Sequence, residues 1–376
     1  MNGSAEQALR TAVRDLADEA RTVPDLAGRA RARGRWLRRR RQVAAAGGAL
    51  AALVALAAPF VWLRPSTPAP GPAAWGPPSV PAESAASVVP APTGDWTGSP
   101  VTLPGGWLLV GATSTGESTG DQGERGYALD RTRGRYVGSE RYDEVWAAPR
   151  GGVAAVVDHD RRAELGLLDL ASGEVRWVRT GGHIRTPHWS PDGRRLALTV
   201  MDKATGALSL GVLGSTGTWR TFPVDADEFL CTDQCFFTWT RDGQEVALQQ
   251  TDPTAPRSES EPHARRGVQF FSPDDGRPTR LVPVKGDPAG PWSWSPDGRQ
   301  VVVKGRQGPQ IVEVATGRVI GAAPDADAAW GADDHLLYRD RRTEEMVLAD
   351  LDGRELARQS LPAAIGLGMV LVLAPR

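Results

Sequence analysis

Cysteine, lysine and histidine are all scarce in this chain, and each shortage narrows what it can do. Only Cys231 and Cys235 could pair, so no disulfide-stapled scaffold is available. Four residues apart in a loop ahead of Trp239, they are expected to close one bridge that shapes the loop, worth about 2 kcal/mol on chain-entropy scaling. The histidines, His159, His183, His188, His263 and His335, lack ligand spacing, no His-Glu-x-x-His occurs, and no further ligands accompany the cysteines. No α/β segment follows the last repeat to house a hydrolase triad. The expectation is a chain with no metal, no cofactor and no catalytic residues, and so not an enzyme. Lysine is limited to Lys203, Lys285 and Lys304, which leaves arginine to carry the basic charge.

What the sequence has in quantity is tryptophan, glycine and proline, arranged in a repeat. Trp189-Ser190-Pro191-Asp192-Gly193-Arg194-Arg195-Leu196-Ala197-Leu198 returns as Trp294-Ser295-Pro296-Asp297-Gly298-Arg299-Gln300-Val301-Val302-Val303, with weaker copies at Trp239, Trp330 and Trp146. These five tryptophans stand 43, 50, 55 and 36 residues apart, a period that marks a propeller or another repeat array. Within a copy, proline presets φ, aspartate bonds back to the backbone and glycine accepts the conformation that a side chain resists, so Ser-Pro-Asp-Gly is a tight turn. The five tryptophans, with Asp192, Gly193, Asp297 and Gly298, are therefore structural anchors. A second hairpin is expected around Thr132-Arg133-Gly134, Ala171-Ser172-Gly173, Ser215-Thr216-Gly217, Asp274-Asp275-Gly276, Ala315-Thr316-Gly317 and Leu351-Asp352-Gly353. Two hairpins per period make a four-stranded antiparallel blade. Six second hairpins predict an all-β, six-bladed β-propeller over residues 101–376, with seven blades as the alternative. The apolar run at 364–373 is expected to add two short strands to the first blade and close the ring, which removes open sheet edges.

The stretch ahead of the repeats has a different composition. Residues 1–42 hold eleven arginines against five acids, while the remainder holds 33 basic against 40 acidic side chains, as if the two parts face different surroundings. Leu9, Val13 and Leu16 predict a short amphipathic helix, either a tail that is helical part of the time or, across residues 1–28, a dock for a cytoplasmic regulator. The arginine cluster that follows has almost no interleaved aromatics and leads into apolar chain, so nucleic acid is not an expected partner. Residues 43–63 carry no charge and, at 1.5 Å per residue, reach across the ~30 Å hydrocarbon core of a lipid bilayer. Arginines crowd the near side, and none occurs between Arg64 and Arg125, which predicts one transmembrane helix with a cytoplasmic N-terminus. A cleaved export signal ending near Ala73-Ala74 is the rival reading. Residues 64–100 are rich in proline and read as an extended extracytoplasmic linker.

The Trp-Ser-Pro-Asp-Gly copies resemble those of TolB-like propellers, strongly in two blades and loosely in the others. The resemblance implies the propeller fold over residues 101–376 and leaves activity open, because such propellers serve as binding platforms, as sensors and as covers on peptidases. The layout of tail, arginine cluster, span, linker and propeller resembles actinobacterial envelope proteins, some of which act with sigma factors. Residues 1–42 nevertheless lack the His and Cys of many anti-sigma zinc motifs. The expected function is a membrane-anchored, extracytoplasmic, non-catalytic binding or sensing module for an envelope protein or cell-wall ligand. The alternative is a secreted propeller enzyme, hydrolase or quinoprotein-like. Loops opposite the tryptophan turns are the expected binding face. They carry Arg185, His188, Asp225, Asp227, Glu228, Arg265, Arg266, Asp325 and Asp327.

Overall fold

The computed structural model describes residues 86–92, 94–114, 126–202, 204–225, 227–229, 236–255, 263–331, 334–366 and 368–376. The expected amphipathic and transmembrane helices, most of the linker, and Cys231 and Cys235 lie outside these residues. Among the described residues no helix is long and apolar enough to cross a membrane.

Six sheets follow one another along the chain. The second, third and fourth blades are built as the repeat predicts, for example Thr238–Trp239, Val246–Thr251, Arg265–Phe271 and Pro278–Val282 in the fourth. Every expected second hairpin is present, and its glycine (Gly134, Gly173, Gly217, Gly276, Gly317 or Gly353) has positive φ. The Ser-Pro-Asp-Gly turns also form as expected. Ser190 Oγ donates to Asp192 Oδ1 at 2.6 Å and accepts from Arg195 N at 3.0 Å. Ser295 repeats this with Asp297 and Gln300, and Thr240 with Asp242 and Glu245. The Arg299 N–H and the Ser295 hydroxyl hold the Asp297 carboxyl below its ordinary value.

Side chains on a strand alternate between faces, and in a ring of blades both faces are buried. Leu196, Leu198 and Val200 turn toward the second blade, whereas Ala197 between them turns toward the fourth. Val246 and Leu248 pack back on the third blade, and Ala247 packs forward on the fifth. This explains why second strands read as continuous apolar runs. Six apolar clusters result, one at each junction between consecutive blades, including the junction of the sixth with the first. The anchor tryptophans sit in them, with Trp239 and Trp330 fully buried. Trp189 Nε1 donates to the Trp146 carbonyl and Trp239 Nε1 to that of His188, tying the third blade to the second and the fourth to the third.

The ring closes through the C-terminus, with a difference from expectation. One strand, Met369–Pro375, and not two, pairs antiparallel with Trp107–Ser114 as the innermost strand of the first blade. The domain also reaches back into the segment whose composition reads as linker. Ser87–Val89 pairs in parallel with Glu355–Gln359 on the outer edge of the sixth blade, and Trp96 lies 4.9 Å from both Tyr127 and Tyr136. The fifth blade departs from the pattern at its inner edge. Its ladder has three strands, Gln300–Gly305, Gly308–Glu313 and Val319–Ala322, and the inner position is held only by single bridges from Asp287 to Lys304 and from Trp294 to Val301. Pro288 and Pro291 lie between those bridges, and prolines cannot donate to a ladder.

Candidate functional site

Inner strands from all six blades surround a cavity of about 880 Å³ on the ring axis. This lies within the roughly 300–1,000 Å³ of small-molecule sites. Blade-to-blade residues on its lining include Arg185, Thr186 and Pro187 and, before the sixth blade, Asp325, Ala326 and Asp327. The missing inner ladder of the fifth blade shapes one wall, where Asp287 to Ser293 bulges inward and turns at Pro291–Ser293 to set Trp292 on the lining.

Two side chains tie neighbouring blades together beside the cavity. Trp292 Nε1 donates to the Leu373 carbonyl of the closing strand at 2.8 Å, and its ring stands edge-on to Trp107 at 5.5 Å. Arg241 reaches from the fourth blade and donates one guanidinium nitrogen to the carbonyls of Trp294, at 3.1 Å, and Trp330, at 2.9 Å. Its charge lies 5.5 Å from the Trp292 ring, a cation–π contact. Burial lowers the Arg241 pKa below the usual guanidinium range.

Of the residues expected on the binding face, Arg185, His188, Asp325 and Asp327 line this cavity. Asp225, Asp227, Glu228 and Arg266 do not. Asp225 Oδ1 caps its own turn by accepting from Asp227 N, and Glu228 accepts from Gln250. The acidic rim expected beside two blades is therefore divided between the loop into the fourth blade and the loop into the sixth. Arg265 is not a loop cation either. It starts a strand, is 8% exposed, and binds Asp287 through two nitrogens at 2.9 and 3.4 Å.

The electrostatics of the wall follow from these contacts. Arg341 binds Asp325 at 2.8 and 3.4 Å. Arg339 donates to the carbonyls of Ile365, Gly366 and Met369, which fixes the approach to the closing strand. Crowding by the walls, then the Asp325 charge, raises the Asp327 carboxyl against the pull of Arg341 and Lys304. His188 packs 5.9 Å from Phe236, and burial pushes its imidazole down to about 4, so it is neutral. Its Nε2 has no partner, nor has Oε1 of Gln249, which is 3% exposed.

Sequence reading misses Arg241, Trp292, Asp287, Gln249 and Arg339. A signal exists for the first two. Arg241 stands where the other turns have Pro191 and Pro296, and Trp292 ends a Pro-Ala-Gly-Pro interruption of a strand position. The string Gly116-Glu117-Ser118-Thr119-Gly120 has the spelling of a nucleophile elbow and lies outside the described residues. Among the described residues no group of three His, Cys, Asp or Glu is placed to hold a metal.

No family model matches the chain, and no characterised protein matches it in sequence. Several solved structures are similar to it over about two thirds of its length. TolB from Acinetobacter baumannii is 17% identical over 69% of this chain and 62% of its own, with a TM-score of 0.44. Hydrazine synthase of Kuenenia stuttgartiensis is 13% identical over 68% of this chain and 83% of its own, also at 0.44. The acylaminoacyl peptidase of Pyrococcus horikoshii is 15% identical over 66% of this chain and 44% of its own, at 0.40. This chain thus spans less than two thirds of the TolB and peptidase structures. The neighbours mix enzymes with TolB.

Proposed function

We propose that the propeller is a non-catalytic binding module whose ligand occupies the axial cavity. The observation that carries this is the cavity itself, about 880 Å³ and lined from every blade. Its charged walls support the reading. Asp287 and Asp325 are each held by an arginine, and neutral His188 contacts Phe236 with no nucleophile bonded to it among the described residues.

The test is thermal stability of the full-length protein against fractionated envelope material and small polar compounds. A ligand at about 100 times its Kd adds about 2.7 kcal/mol. Stabilisation lost in Arg185→Gln, an exposed position on the lining, supports the proposal. A panel that stabilises both proteins equally, or neither, overturns it.

The setting we propose is extracytoplasmic, with residues 43–63 as a retained single span and residues 1–42 in the cytoplasm within reach of a regulator such as a sigma factor. Its support is the uncharged stretch behind an arginine cluster. Carbonate extraction of membranes together with protease digestion of intact cells checks it. Release into the supernatant, or a propeller protected from protease, ends that setting without touching the cavity.

A further inference from the structure

Most charges on the cavity wall are already answered. Asp287 is held by Arg265, Asp325 by Arg341, and the Arg339 guanidinium by three carbonyls. Lys304 has partners of its own. Three lining groups stand apart. The Arg185 guanidinium makes no hydrogen bond or ion pair among the described residues, and the Asp327 carboxylate accepts none, although its backbone N–H donates to Asp325. The third is Gln249, whose Oε1 is buried without a donor. An unanswered buried acceptor is costly, so this group favours whatever brings it an N–H or O–H.

Their placement follows from the ring. Arg185 continues the inner edge of the third blade, with its N–H donating to Thr199, and Asp327 leads into the inner strand of the sixth. Third and sixth are opposite members of a six-membered ring, so the two residues stand on opposite sides of the cavity they both line. No ion pair joins them among the described residues. Gln249, on the fourth blade, lies along one of the two arcs between them. The opposite arc includes the closing strand, which contributes Met369, Val370 and Leu371, an apolar backing.

The geometry points to an amide-bearing zwitterion the size of a short peptide, its carboxylate at Arg185, its ammonium at Asp327 and an amide N–H at Gln249. This inference rests on the cavity being the ligand site. Arg185 offers a planar fork that matches a carboxylate, and Asp327 offers two oxygens to an ammonium.

Isothermal titration of the full-length protein with triglycine, its N-acetyl form, its C-terminal amide and the doubly blocked peptide tests this. Each block is expected to weaken binding by about tenfold, on the order of 1.4 kcal/mol. Arg185→Gln should erase the penalty of amidation and leave that of acetylation, and Asp327→Asn should do the reverse. Equal binding of blocked and free forms overturns the inference, as does a failure of triglycine to bind at millimolar concentration. Failure of triglycine alongside an envelope ligand that still depends on Arg185 removes the zwitterion and leaves the cavity as a binding site. Failure of both removes both.

Discussion

Arg241 shows how one change in a repeat makes a turn into a tie between blades. The turn itself does not require arginine, because Pro191 and Pro296 occupy the same place in its two closest copies. Arg241→Pro is therefore expected to keep the turn and lose the bonds to Trp294 and Trp330, at a cost of about 2 kcal/mol for charge-assisted hydrogen bonds. Urea denaturation checks the cost, and acrylamide quenching checks whether the axial tryptophans become more accessible. Stability equal to the parent would show that the guanidinium contributes nothing. His188 makes a prediction in pH. The unfolded histidine takes a proton near 6.5, while the folded one stays neutral to about 4, so the unfolded state binds more protons in between. Its contribution to stability is complete above about 6.5, falls as pH drops toward about 4, and then levels. The loss is at most about 1.4 kcal/mol per pH unit inside that window. Denaturant melts of the parent and His188→Gln between those limits should converge as pH falls, and parallel curves would refute the assignment. At this scale the anchors are legible in sequence and the site is not. Turn chemistry is local, so Asp192, Gly193 and the hairpin glycines declare themselves, whereas Arg265 meets Asp287 across 22 residues and Arg241 meets Trp330 across 89.

Among the elements, the closing strand bears most directly on stability. Met369–Pro375 pairs along nearly the whole of Trp107–Ser114 and supplies the Leu373 carbonyl that holds Trp292. A chain ending before Met369 is expected to lose the fold and not merely fray, visible as loss of near-ultraviolet dichroism and of a sharp gel-filtration peak. The second hairpins allow two causes of strain to be separated. A Cβ on Gly276, at φ 71°, would stand 2.2 Å from Phe222 Cγ, whereas one on Gly353, at φ 83°, would meet nothing within 4 Å. Alanine at 353 should cost about 1 kcal/mol for backbone conformation, and alanine at 276 clearly more, about 2–4 kcal/mol once the clash is added. Equal melting shifts would mean that the Phe222 ring moves aside without cost. The six hairpins and the four-strand plan were readable because each depends on a few adjacent residues. Two elements were not. Ser87–Val89 is three residues among prolines, and its pairing with Glu355–Gln359 is set by an edge more than 260 residues away. The broken inner strand of the fifth blade reads like a linker, because what replaces its ladder is packing against other blades.

Across the whole domain, six apolar junctions of similar build join each blade to two neighbours, and none is dispensable once the ring is closed. Unfolding of the propeller is expected as one cooperative transition, with tryptophan fluorescence and far-ultraviolet dichroism coincident in urea. Separated midpoints would mean that blades come apart in stages. Blade number was legible because hairpins can be counted. The axial cavity was not, because it belongs to no single blade and appears only when six inner edges converge.

Arg241 and Trp292 link the fourth blade to the fifth and sixth, and the fifth to the strand that completes the first. A disturbance at either residue therefore spreads to sheets with which it shares no ladder.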